Sequence, residues 1–281
     1  MSHSYYAQIC QAFDLAAPTY DALYQHNQVM AWMRAESLVA LQALFPPGSY
    51  LLEIGCGTGD EALALSRMGY RIVATDISPA MIQTARAKAQ AHGVDSASWR
   101  VLPAGNLAEL AYDYNAGAFD GAYASFGALN CEPRLDQLAA ALAHLLRPGG
   151  KLVCSVMNRY CGWEIAWGLI HLRPGQAFRR LKKGWVSAGL AAPKGHLFVP
   201  TRYYCPRRFA RLFTPHFGRH RVWGLPVFLP PPYLDGLFER HRFLFGRLES
   251  LERRLRARFP FYALGDHFLI VMARLVTGEE K

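Results

Sequence analysis

The feature that most constrains this 281-residue chain is a short apolar run, Tyr50-Leu51-Leu52-Glu53-Ile54, ending abruptly in Gly55-Cys56-Gly57-Thr58-Gly59. Apolar residues then return at helical spacing, at Ala62, Leu65 and Met68. The segment therefore predicts a strand, a tight loop and a helix. Glycines in such a loop carry no Cβ, so backbone N–H groups and the helix N-terminus can approach a ligand closely. The pattern sharpens with Asp76, 21 residues after Gly55 and at the end of the next apolar run, Arg71 to Thr75. A carboxylate there is placed to accept hydrogen bonds from a ribose diol. Loop and acid together point to a nucleoside-bearing cofactor.

The glycine spacing narrows the choice. A dinucleotide fingerprint, G-x-G-x-x-G, would need its third glycine at position 60, which is an aspartate. An acid at a helix N-terminus suits the helix dipole but crowds a pyrophosphate. A phosphate-free, cationic nucleoside fits better.

The alternation continues. Ser78-Pro79 reads as a cap and first-turn proline opening a helix through Ala91. Trp99 to Leu102 predicts a third strand, Phe119 to Ser125 a fourth, and Pro133 to Leu146 a helix. Lys151 to Met157 predicts a fifth strand after the turn Arg147-Pro148-Gly149-Gly150. Repeated strand–helix alternation implies a doubly wound α/β fold with a mainly parallel sheet covered on both faces. After Asn158 the rhythm changes. Trp163 to Leu172 reads as an apolar helix, short strands are expected around Pro193 and Gly195, and Pro206 to Phe213 reads as a helix. Two late strands, Arg219 to Phe228 and His267 to Leu275, flank one long arginine-rich helix from about Tyr233 to Arg258.

Leu-Glu-Ile-Gly-Cys-Gly-Thr-Gly (52–59) resembles motif I of the class I S-adenosylmethionine-dependent methyltransferases, and Val-Ala-Thr-Asp-Ile-Ser-Pro-Ala-Met (73–81) resembles their next strand and helix start. Phe119-Asp120 and Leu146 to Leu152 continue the likeness. Phe13-Asp14 with Tyr20-Asp21 resembles the N-terminal lid of the small-molecule, quinone-biosynthesis-like branch. The resemblance implies a single domain with a seven-stranded Rossmann-like sheet. Residues 1–45 would form a helical lid segment, 46–158 the cofactor-binding core, 159–205 a substrate-side helical and β lid inserted between strands five and six, and 206–281 the last strands and basic helix. It implies S-adenosyl-L-methionine as cofactor, with S-adenosyl-L-homocysteine as product. Gly55, Cys56, Gly57 and Gly59 would line its methionine part, with Glu53 orienting that end. Asp76 would hold the ribose, Ile77 would cover the adenine, and Tyr20, Asn106, Leu107 and Ser125 would complete the site. No metal is implied.

Methyl transfer from a sulfonium needs no protein nucleophile, and a base only where the acceptor must lose a proton. Glu164, His171, His196, Tyr203 and Tyr204 are the candidate bases. Around them Trp163, Ile165, Trp167 and Ile170 offer an apolar wall, so the expected acceptor is a small, largely apolar molecule methylated on O, N or C. The Asp/Asn-Pro-Pro-Tyr/Phe loop of base-amine methyltransferases is missing from 125–130. Pro231-Pro232-Tyr233 follows the sixth strand instead.

Charge leaves a second reading open. Residues 1–150 carry 8 Lys and Arg against 13 Asp and Glu, whereas residues 151–281 carry 23 against 8. The basic half suits an RNA methyltransferase tracking phosphates, or contact with an anionic membrane surface. A protein that binds the cofactor without catalysis is the third reading. No stretch approaches the roughly 18 apolar residues of a membrane span. The N-terminus lacks the pattern of a signal peptide, so a cytoplasmic protein is expected. Six cysteines without a C-x-x-C pair suggest reduced structural thiols.

Overall fold

A computed structural model describes residues 3–192 and 195–276. Nine strands appear in them: β1 Tyr50–Ile54, β2 Arg71–Asp76, β3 Ala97–Val101, β4 Phe119–Ala124, β5 Leu146–Met157, β6 Val186–Ala192, β7 Gly195–Thr201, β8 Phe217–Leu225 and β9 His267–Arg274. The helices are α1 His3–Tyr24, α2 Gln28–Leu44, α3 Asp60–Arg67, α4 Pro79–Ala91, α5 Leu135–Leu145, α6 Gly162–Ile170, α7 Pro174–Ala177, α8 Pro206–Arg211, α9 Asp235–Arg240 and α10 Arg242–Leu255.

Seven strands form one sheet in the order β3-β2-β1-β4-β5-β9-β8. The first five are mutually parallel, while β9 runs antiparallel to both β5 and β8. The two-residue period of a strand sends alternate side chains to two cores. Leu52, Ile54, Ala122, Leu152 and Ile270 face α5 and α8, while Leu51, Ile72, Tyr123, Val153 and Val271 face α2, α3, α4 and α10. The sheet's chain order reverses between β1 and β4, which opens a crevice at the carboxyl ends of those strands.

Local chemistry fixes the helix starts on that edge. The Ser78 hydroxyl accepts the Met81 N–H at 3.1 Å and Pro79 occupies the first turn of α4. Gly59 precedes α3 at φ +82°, in the left-handed region, and Asp60 and Glu61 place negative charge at the positive end of the helix dipole.

The second half departs from expectation in three places and keeps it in a fourth, the strands after α7. The Arg147 to Gly150 turn is absorbed into β5, because Phe119 pairs with Leu146 ahead of a bulge. The sixth strand of the main sheet, β8, begins at Phe217 and ends at Leu225, turning into Pro226 where the long sequence run continued to Phe228. The long helix is two helices broken at His241, whose φ and ψ are −117° and 33°. The break lets Phe238 and Phe245 stack at 5.6 Å, while Asp235 Oδ1 accepts the Val29 N–H at 3.0 Å and holds α9 against α2. The expected strands around Pro193 and Gly195 form a hairpin, β6–β7, separate from the main sheet; Pro193 itself lies outside the described residues.

Candidate active site

The crevice holds a cavity of about 270 Å3. Its floor is the β1 turn, Ile54 to Thr58, with Asp76 and Ile77 from the end of β2 and Leu102 to Ala104 after β3. Ser125 to Ala128 after β4, Met157 ending β5 and His267 opening β9 form the far wall. Tyr6, Ile9, Phe13, Tyr20 and Tyr24 of α1 cover it, together with Leu190 and Val199 of the hairpin.

Hydrogen bonds fasten α1 over the turn. Asp14 Oδ1 accepts from the Ser78 hydroxyl at 2.5 Å and from the Ala80 N–H at 3.1 Å. Asp21 Oδ1 accepts from the Thr58 hydroxyl at 2.5 Å, and its other oxygen meets Lys88 Nζ at 2.8 Å. The two aspartates that mark the lid in the sequence thus clamp it to the starts of α3 and α4.

Within the turn the glycines divide the work. Gly57 stands at φ +53°, where a Cβ would meet no atom within 4 Å, so its missing side chain leaves room beside the cavity. A Cβ on Gly55 would lie 2.5 Å from that of Ala128, and one on Gly59 would lie 2.6 Å from the Trp99 ring. Gly59 therefore serves close packing of α3 on β3 and does not line the cavity.

Asp76 is buried, yet both its oxygens accept backbone donors: Oδ2 from Gly57 N at 2.8 Å and Oδ1 from Ser78 N at 2.9 Å. Burial pushes its carboxyl up to about 6, against the pull of those N–H groups. Glu53, at the end of β1, accepts the Tyr123 hydroxyl on Oε2 at 3.0 Å, and its buried Oε1 has no partner among the described residues. Burial and then the nearby Glu61 push this carboxyl well above the usual range.

The cavity's charge is decisive for its ligand. Asp60, Glu61, Asp76 and Glu132 all border it. Arg34, the permanently charged cation in the described lining, is engaged by Asp60 at 3.0 Å and Glu61 at 2.6 Å. A pyrophosphate would meet carboxylates without free cations to answer it, whereas a cationic nucleoside is matched in sign. The glycine cradle and the ribose-type carboxylate therefore fit S-adenosylmethionine, with its sulfonium and ammonium charges, whereas Glu53, expected to orient its methionine end, is buried and does not border the cavity.

The family described as methyltransferase domain matches residues 51–150. Residues 51–150 thus carry a methyltransferase domain. Over 116 residues the chain is 34% identical to a ubiquinone biosynthesis O-methyltransferase of Xanthomonas axonopodis pv. citri, covering 41% of this chain and 46% of that protein. A demethylmenaquinone methyltransferase of Symbiobacterium thermophilum is 27% identical, covering 51% and 57%. The chain thus spans about half the length of the curated relatives it matches. Among solved structures, a DhpI–SAH complex superposes with TM-score 0.58 at 17% identity, covering 98% of each chain. The 1,6-didemethyltoxoflavin-N1-methyltransferase of Burkholderia thailandensis superposes with TM-score 0.53 at 17% identity, covering 98% and 91%. These likenesses extend the methyltransferase fold beyond residue 150.

Several residues expected to serve the cofactor lie together on the cavity: Tyr20, Gly55, Cys56, Gly57, Asp76, Ile77 and Ser125. Others lie elsewhere. Leu107 is fully buried in the core under α5. Asn106 faces Glu109 and Arg134 and is kept from the cavity by them. Glu132 stands on the cavity there instead, accepting the Gly105 N–H at 2.8 Å and the Tyr6 hydroxyl at 2.7 Å. Its position seven residues past Ser125 carried no signal, because only the fold of 104–132 brings it back.

The expected bases are also outside the lining. Glu164 is bound to Arg180 at 2.8 Å and Arg179 at 3.2 Å. His171 is exposed at the end of α6, 2.9 Å from the Trp167 carbonyl. Tyr203 lies under Arg180, 5.1 Å from its ring centroid, and Tyr204 packs on Phe209 in the core. His196 is on β7, and its side chain is outside the described residues. The histidine on the cavity is His267, which the sequence presented only as the first residue of a strand.

Proposed function

We propose that the protein transfers the methyl group of S-adenosyl-L-methionine to O, N or C of a small, largely apolar organic acceptor. The observation that carries this reading is the mixed lining of this cavity, where Asp60, Glu61 and Asp76 beside the glycine turn are joined by the apolar Phe126, Met157, Leu190 and Val199. In this reading Gly55 and Gly57 admit the methionine part, Asp76 accepts the ribose hydroxyls, and α1 with the hairpin excludes water. The cofactor supplies an activated methyl, so the protein's contribution is alignment in a dry site. The names of the two quinone-biosynthesis relatives favour an aromatic, quinone-type acceptor. RNA as acceptor would call for unpaired cations at the cavity, where Arg34 is already engaged twice.

Incubation with methyl-labelled cofactor and cell extract, followed by identification of the labelled compound, tests the proposal. Label should enter a small organic-soluble product. Label confined to RNA, or cofactor binding without any transfer, would contradict it. An apolar acceptor also gives a role to exposed Phe243 and Leu244 beside Arg240, Arg242 and Arg247, which suit contact with an anionic membrane surface. Among the described residues no helix is long and apolar enough to cross a membrane.

A further inference from the structure

Among the described residues lining the cavity, His267 supplies the imidazole. It opens β9 and pairs in register with Met157 at the carboxyl end of β5, so it stands on the rim where β4, β5 and β9 meet. It is 6% exposed and borders the cavity beside Phe126, whose ring lies 6.5 Å away edge-on. Its Nδ1 lies 2.9 Å from Asp266 Oδ2, while its buried Nε2 has no partner among the described residues. A buried imidazole nitrogen is normally satisfied, and one left open beside a substrate-sized cavity is set for a ligand.

Behind it lies a second tier. Asp266 Oδ1 accepts Arg180 Nη2 at 2.5 Å, and the Asp266 carbonyl accepts Arg180 Nη1 at 2.8 Å. Arg180 also binds Glu164 and the Asn158 carbonyl, so it is held from four sides. Burial alone would raise the Asp266 carboxyl, but Arg180 and then His267 hold it well below the usual range. An ionised Asp266 takes the proton on Nδ1, so the lone pair falls on the unpartnered Nε2.

We infer that His267 Nε2 is the general base of the transfer and that the acceptor presents a phenolic or enolic hydroxyl on an apolar skeleton. The inference rests on the methyltransferase reading above. As the acceptor oxygen bonds the methyl carbon, the carbon–sulfur bond breaks and its electron pair stays on sulfur; the hydroxyl proton passes to Nε2 and then to solvent. A hydroxyl gains most from such a base, because a neutral amine already carries a free lone pair and can shed its proton after transfer. Asp266 and Arg180 are positioning residues that set the tautomer and orientation of the ring.

The test compares the full-length wild type with His267→Gln and His267→Ala, using methyl-labelled cofactor with alkyl-substituted phenols and catechols and with cell extract. General-base removal should lower kcat about 100-fold or more. The acceptor KM and the affinity for S-adenosylhomocysteine should stay within about threefold, since neither depends on proton transfer. In the wild type, 15N NMR should show the Nδ1–H tautomer at His267. A His267→Gln variant with wild-type kcat, or a proton on Nε2 in the neutral ring, overturns the assignment and leaves methyl transfer standing. A wild type that neither binds the cofactor nor transfers methyl overturns both.

Discussion

Asp76 Oδ2 and the Gly57 N–H lie 2.8 Å apart, so the ribose-type carboxylate of β2 also ties down the glycine turn after β1. One residue thus shapes the loop and presents the remaining acceptor sites to a ligand. Asp76→Ala should abolish S-adenosylhomocysteine binding in calorimetry. It should also lower stability by about 1–3 kcal/mol, because the Gly57 and Ser78 donors lose their partner. Gly57→Val should abolish binding too, since a β-branched side chain at φ +53° is strained and projects into the open space. Wild-type affinity in either folded variant would remove the turn from the cofactor site.

Asp76 further predicts opposite pH trends with and without ligand. Its carboxyl is raised to about 6, above its ordinary 3.8, so the folded state holds the proton more tightly than the unfolded chain. The stabilisation from this group is complete below about pH 4 and is lost as pH rises through about 6. Binding runs the other way, because ribose hydroxyls need the ionised acceptor. Affinity for S-adenosylhomocysteine should be flat above about pH 6 and fall roughly tenfold per unit below it. Asp76→Asn should remove that slope. Calorimetry from pH 5 to 8 on both proteins decides the matter.

Gly59 separates packing from binding. A methyl group there would press on the Trp99 ring and lie 2.9 Å from the Ala85 Cβ. Gly59→Ala should therefore cost about 1–3 kcal/mol in urea denaturation. Saturating S-adenosylhomocysteine should still raise the melting temperature of the variant, as it should for wild type. Loss of the ligand-induced shift at full folding would make Gly59 a contact residue.

The segment between β5 and β8 should prove separable in one part and inseparable in another. The β6–β7 hairpin packs on α1 through Leu190, Leu197 and Val199. Replacing residues 186–201 by a short turn should leave a folded protein that binds the cofactor but transfers methyl slowly, because the cavity loses its cover. Arg180, although in the same segment, is buried between Glu164 and Asp266, whose side chains are 2% and 5% exposed. Arg180→Met should cost about 3–5 kcal/mol by removing the buried cation shared by two carboxylates. A hairpin variant with wild-type turnover would show that substrate alignment lies elsewhere.

What the sequence by itself determined was the cofactor half. The β1 turn, Asp76, the Ser78-Pro79 cap and the β–α alternation are encoded by neighbours within about 25 residues, so glycine, capping and periodicity rules reach them directly. The aspartates of α1 were also legible as a lid pattern, though their partners Thr58 and Ser78 were not. Tertiary structure decided the rest. Arg180, Asp266 and His267 become one chain of hydrogen bonds only because β9 inserts antiparallel beside β5 and the segment after α7 folds under it. Glu132, and not Asn106, reaches the cavity for the same reason. A lone histidine at a strand start looks like any other strand residue until the fold sets one ring nitrogen against a carboxylate, leaves the other without a partner and brings the residue to the edge of a cavity. Side-chain chemistry of that kind depends on burial and partners distant in sequence, which periodicity and local propensity do not encode.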